Sequence, residues 1–445
     1  MRRRSIYWWF LRASYRGESS TFEPTGAAMY GRHFFLAAGF LLLIVLGAGP
    51  LARRGTAQFQ PGICAQREPH LVVDRNDKLY LVMAAGTHSV DSVRTGSQIL
   101  FTQSTDGGST WDNMPVTRNL TNSRSRALGA LFPRIAVANT AAPHAYVAYD
   151  DDTGGIRQAY FIRSKKNTNF KRPTLLSPPG DGGFTPVLAL DSTGAVNAAW
   201  ADSAVGSRQV MFARSTNFGV TFTQPMNVSR SSAQGFDPMI AVEDNDAVSL
   251  AWEDTGSGEG AIFFSRSTDM GLSFSSPTRV SAGLGEASDP EVAVDRSGGL
   301  NVAWIQEQVA GGTSVMITRT TDGGRTFSAP AIVASGPGAE FEYLTMTTGA
   351  NKTYLAFNDE TAQQVFLAQS RSSLLNFGSP IQLSHADTTR GRAHSPSVAV
   401  DSRGRVHAVW IDTSMLGNDE GLVVYRSSAD GLTFTTPILI LAVIQ

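Results

Sequence analysis

The chain has 445 residues, 17% of them charged, and a single cysteine, long enough to bury a large core as one repeat domain or as two or three smaller units. One cysteine excludes an intramolecular disulfide and a cysteine-based metal site. Eight of the 37 basic groups and two of the 38 acidic ones fall in residues 1–57, which leaves 29 against 36 beyond; a net acidic body without a basic run is a poor nucleic-acid binder.

At the amino end, Arg2, Arg3, Arg4, Arg12, Arg16 and Arg32 surround or precede the apolar run FFLAAGFLLLIVLGAG, Phe34 to Gly49, which leads to small residues ending in GTA at Ala57. That order is the order of a secretory signal. Arg53 and Arg54 after the run keep an uncleaved anchor as the alternative, and Met29 offers a second start that gives a signal of ordinary length. Residues 1–57 are therefore expected to be a basic region with a signal peptide or signal anchor. Residues 58–445 are expected to lie outside the cytoplasm, secreted or periplasmic, with membrane contact only through residues 34–49. Cys64, in PGIC, lacks the small preceding residue of a lipid-attachment signal and reads as structural.

From residue 69 onward apolar alternation dominates and no helical period is sustained, which predicts an all-β body. A unit recurs: PVLALDSTGAVNAAW, PMIAVEDNDAVSLAW, PEVAVDRSGGLNVAW and PSVAVDSRGRVHAVW, each with Trp 14 positions after Pro. Constant spacing implies a constant hairpin. A variable loop, a third strand, a polar turn and a fourth strand follow each Trp. Weaker copies start at Pro69 and Pro133, and a further one at Tyr343, which stands where the other units have their first Pro. Seven four-stranded units at this period predict a seven-bladed β-propeller, with six or eight blades as alternatives. Closure of the ring is expected to recruit Phe59 to Ile63 as an extra strand.

The polar turn also repeats, as STDGGSTW at Ser104 to Trp111, STNFGVTF at Ser215 to Phe222, STDMGLSF at Ser267 to Phe274 and TTDGGRTF at Thr320 to Phe327. Blade 7 reads SSADGLTF, with Asp430 one place late. This pattern resembles the Asp box (BNR repeat) of the sialidase-like, neuraminidase-superfamily propellers, and with the strand pattern the resemblance covers residues 65–445. The chemistry is that of a structural turn: Asp106, Asn217, Asp269 and Asp322 accept backbone N–H groups, Gly108 and its equivalents supply positive φ, and the terminal aromatic pins the loop. The arginine before many boxes (Arg163, Arg214, Arg266, Arg319, Arg426) recurs with them and inherits the same structural role.

Chain direction places every box on one face and the loops after Trp and before Pro on the other, where the resemblance puts the substrate funnel. There the resemblance implies Arg67, in REP, as the group that grips a substrate carboxylate, Asp91, in GTHSVDSVR, as acid/base, and Tyr343 as nucleophile activated by Glu342 or Glu340. Arg134, Arg208, Arg390 and Arg392 are further arginines able to reach the funnel, Arg134 and Arg392 being the substrate-binding candidates. The family's other two arginines are missing from the later blades, which read WED, WIQ and FND. Acids collect on this face (Asp150, Asp151, Asp152, Asp202, Glu253, Asp254, Asp359, Asp412, Asp237 and Asp289) and suit strand-end capping, with structural calcium as the other use. The sequence calls for no cofactor and no metal. The expected function is recognition of a carbohydrate or other extracytoplasmic ligand, with glycoside hydrolase activity open; an active, retaining exo-α-sialidase and a non-catalytic protein-interaction scaffold are the alternatives.

Overall fold

The computed structural model describes residues 63–440 apart from 89–93, 116–128, 139–143, 165–169, 204–205, 257, 282–284, 350, 372–374 and 416–420. Twenty-eight strands, β1 to β28 in chain order, make seven antiparallel sheets, each of four consecutive strands. The protein is the seven-bladed propeller that its repeat predicts.

The first strand of each blade is innermost. These are β1 (Ile63–Val73), β5 (Ala130–Val137), β9 (Gly183–Leu190), β13 (Gly235–Val242), β17 (Ala287–Val294), β21 (Phe341–Gly349) and β25 (Ala393–Val400). Together they line a central channel of about 600 Å³. The second strands, such as β10 (Val196–Asp202), β14 (Val248–Asp254) and β26 (Val406–Asp412), are buried at every position. A strand covered by neighbouring blades on both faces needs apolar residues on both, and this explains sequences as uniform as VNAAWAD. Trp200, Trp252, Trp304 and Trp410 lie in these strands, at most 2% exposed. The indole N–H of Trp200 donates to Asp202 (2.8 Å), and those of Trp252 and Trp304 to Asp254 and Gln306. Asp151, Asp254, Asp359 and Asp412 each accept a backbone N–H two residues on, so the acids that recur after the Trp position cap strand ends.

Blade 1 packs directly on blade 7. Leu71, Leu79 and Leu81 of blade 1 share a core with Val409, Ile411 and Tyr425 of blade 7. Leu71 N–H donates to Ser397 Oγ, Ser402 N–H to Asp77, and the Tyr425 hydroxyl to Gly107 O. Ile63 pairs with Thr87 inside blade 1; residues 59–62, the rest of the expected closing strand, lie outside the described residues. Blade 1 is also the tallest, because β2 (Leu79–His88) and β3 (Arg94–Ser104) run beyond the seven-residue strands of their neighbours.

In blades 1, 3, 4, 5 and 7 the turns between third and fourth strands share one pattern of hydrogen bonds. Ser104 Oγ donates to Asp106 and accepts Gly108 N–H, while Asp106 accepts the N–H and hydroxyl of Thr110. Ser267, Asp269 and Ser273 repeat this, as do Thr320, Asp322 and Thr326, and Asn217 takes the part in blade 3. In blade 7 it is Ser428, not Ser427, that donates to Asp430. Asp430 therefore stands in register, and the loop after it is one residue shorter. The same shift corrects the reading of Arg426. Arg214, Arg266 and Arg319 pair with Asp191, Glu243 and Asp295 in the hairpin of their own blade, but Arg426 sits one place earlier on its strand and donates to Thr435 O and Leu383 O.

Candidate functional site

Each inner strand carries a bulge near its start, and at the bulge one residue has positive φ: Glu68, Phe132, Thr185, Asp237, Asp289, Tyr343 and Ser395, with φ between 43° and 53°. Six of the seven precede proline. In blade 6 the residue aligned with proline is Leu344, and Tyr343 aligns with Asp289, which corrects the alignment drawn from sequence. A left-handed conformation costs a non-glycine residue about 1–2 kcal/mol. Its recurrence in all seven blades makes it architecture, and it sets a ring of seven side chains of six kinds around the mouth of the channel.

On the blade 6 to blade 7 side of that mouth the chemistry concentrates. The Tyr343 ring lies 6.0 Å from that of His394. Burial holds the Tyr343 hydroxyl well above its ordinary pKa, with the charge of Glu342 adding to the effect, so it stays a neutral phenol. Glu342, half-buried, is pushed up to about 8, first by burial and then by Glu360 and Asp289. Arg392 forms an ion pair with Glu360. Glu68 accepts the backbone N–H of Phe132 (2.6 Å) and its charge reaches Tyr343.

The packing of blade 7 on blade 6 thus brings Arg392 to Glu342 and Tyr343. It does not bring Arg134 with them. Arg134 follows its proline and lines the channel wall, where it acts on His70 and Glu291. Arg208, 7% exposed, stacks between the rings of Phe184 (4.2 Å) and Phe236 (5.0 Å) and serves packing. Arg390 and Glu340 are exposed. Asp91 and the side chain of Arg67 lie outside the described residues. Asp150 and Asp152 hold Arg157. Among the described residues no group of three or more His, Cys, Asp or Glu is arranged to hold a metal ion.

Sequence reasoning missed His394, Glu360, His70 and Glu291. Glu291 and His70 occupy the position after proline, which holds Val187, Met239 and Ser397 in other blades; an ionisable residue on an inner strand was the available signal. Chemically, a protonated carboxyl beside a neutral phenol can donate hydrogen bonds and, in Glu342, a proton. Glu342 cannot serve as a base for Tyr343 until the pH rises to about 8.

Solved structures similar to this chain include a protein of unknown function from Dyadobacter fermentans, 14% identical over 82% of this chain and 95% of that one, with a TM-score of 0.51. Polysaccharide lyase Uly1 is 11% identical over 80% of this chain and 88% of that one, also at 0.51. By fold the chain is a seven-bladed propeller of four-stranded blades. The NanB sialidase of Streptococcus pneumoniae is more distant, at 11% identity over 83% of this chain and 69% of that one and a TM-score of 0.46. At these identities the likeness is one of fold. No family model and no curated protein matches this chain.

Proposed function

We propose that this protein is an exported glycan-binding propeller whose ligand sits at the channel mouth against Tyr343 and His394, with Glu342, Glu360, Asp289 and Arg392 as its polar contacts. The carrying observation is the convergence of that ring pair with several carboxyl groups at one side of the mouth. Such a set suits a pyranose, whose C–H face stacks on a ring while its hydroxyls exchange hydrogen bonds with carboxyl groups. The polysaccharide lyase of similar fold supports carbohydrate as the ligand class. Acids outnumber arginines at the mouth, and Arg392 is already paired, so the reading favours a neutral or amino sugar over one that carries a carboxylate. Export rests on the basic and apolar segments before residue 58.

The test is calorimetry of the purified chain against neutral, amino and sialylated oligosaccharides. Tyr343→Ala is expected to weaken the best binder at least tenfold, and no binding to any glycan sinks the proposal. One observation favours a second reading, glycoside hydrolysis: Glu342 keeps its proton near neutrality and can act as a general acid. Turnover of a fluorogenic glycoside that is lost in Glu342→Gln supports it; absence of turnover across a glycoside panel leaves the binding reading alone.

A further inference from the structure

Inside the channel, below the mouth, the residues after each proline form a second ring. Most are apolar or carry a hydroxyl: Val187, Met239, Thr345 and Ser397. Against these stands Arg134. Its guanidinium is always charged, it lines a half-enclosed channel, and among the described residues it makes no ion pair and no side-chain hydrogen bond. Arg134 is half-buried in the channel wall, where a counter-charge would stabilise it. The two ionisable neighbours within its field do not supply one. His70 is held neutral by burial and by Arg134 itself, its pKa lowered to about 3. Glu291, across the channel on β17, is kept protonated by burial, its pKa pushed up to about 8 although the charge of Arg134 pulls it down.

His70 is oriented as well as neutral. Its Nδ1 accepts the backbone N–H of Ile135 (3.3 Å), which assigns the ring proton to Nε2. Two donors from adjacent blades, the Arg134 guanidinium and the His70 Nε2–H, therefore belong to one wall of the channel with no carboxylate between them.

We propose that the channel binds a small monovalent anion, of the halide or formate class, on Arg134 and His70, and that Glu291 is its internal competitor. When Glu291 ionises it becomes the counter-charge of Arg134 and the external anion leaves. The other groups around Glu291 do not change this order. Met346 on β21 gives its carboxylate a backbone N–H, Asp289 on its own strand opposes its ionisation, and β9, β13 and β25 contribute only Val187, Met239 and Ser397 at this level. Asp191, at the far end of the channel, is paired with Arg214. The site is distinct from the mouth, and it stands whether or not a glycan binds there.

The experiment is thermal unfolding of the full chain in sodium bromide against sodium sulfate at constant ionic strength, from pH 6 to pH 9. A saturable rise in Tm with bromide is expected at pH 6, falling about tenfold in apparent affinity between pH 6 and pH 9, as one proton lost near pH 8 requires. Arg134→Gln is expected to abolish the response, and Glu291→Gln to keep it at every pH. An equal response in Arg134→Gln, or a pH-independent one in the wild type, overturns the proposal. So does a response to glucuronate with none to bromide, which assigns Arg134 to a sugar carboxylate. Should Arg134→Gln fail to fold, anomalous scattering from bromide-soaked crystals decides the matter: a peak beside Arg134 and His70 supports the site, and an empty channel overturns it.

Discussion

Asp106 commits both carboxylate oxygens to its own turn, and its pKa is lowered by hydrogen bonds from Thr110 and Ser104 that outweigh burial. Three hydrogen bonds from its own turn already hold it. Asp106→Ala is expected to cost about 1–2 kcal/mol, the loss of a few partly exposed hydrogen bonds, with glycan binding unchanged; denaturant unfolding and calorimetry on the same variant check both parts. Glu291 and Glu342 behave oppositely. Their folded pKa values, about 8, lie above the ordinary 4.5. The folded state therefore holds protons that the unfolded chain releases, and stability is greatest below pH 4.5 on this account and declines as the pH rises to about 8. Glu291→Gln is expected to flatten that decline between pH 5 and pH 8 and to be more stable than the wild type at pH 9. Urea midpoints across the range measure it, and an unchanged slope contradicts the buried, protonated carboxyl.

The turn of blade 4 is a clear case at the scale of the element. Met270 and Gly271 both have positive φ, 58° and 83°. Met270 is 48% exposed, whereas a Cβ on Gly271 would come 2.4 Å from the Phe212 ring of blade 3. The first position tolerates a side chain at the cost of strain; the second has no room for one. Met270→Gly is thus expected to be neutral or stabilising by about 0.5–1 kcal/mol, and Gly271→Ala to destabilise by more than about 2 kcal/mol. Comparison of their Tm values tests the pair, and equal costs contradict the inter-blade packing. These turns were legible because each lies within a single hairpin. Arg426 was misread because a one-residue shift on a strand reverses the face a side chain occupies, and spacing to the Asp alone hides that shift.

For the whole molecule, closure of blade 1 on blade 7 is the decisive contact. Tyr425, 1% exposed, bridges His407 in its own blade and Gly107 O in blade 1, and packs edge-on against Trp111 (5.4 Å). Tyr425→Phe removes two buried hydrogen bonds and is expected to lower stability by about 1–3 kcal/mol. Unfolding followed by circular dichroism checks it, and an unchanged midpoint means that the clasp contributes nothing. The packing of blade 6 on blade 7 assembles this side of the mouth, where Glu342 and Glu360 come from one blade and Arg392 and His394 from the next.

The sequence by itself determined the blade: its four strands, its buried Trp, its polar turn and the number of copies. All of these depend on contacts within some 50 residues, where alternation and turn chemistry act locally. Only the tertiary structure decided which residue of each blade takes the left-handed bulge, that Arg134 turns into the channel while Arg392 joins Tyr343, and that Glu291 and Glu342 keep their protons. The bulge, the direction of each side chain and the loss of water around a carboxyl are properties of the closed ring, and no single repeat contains them.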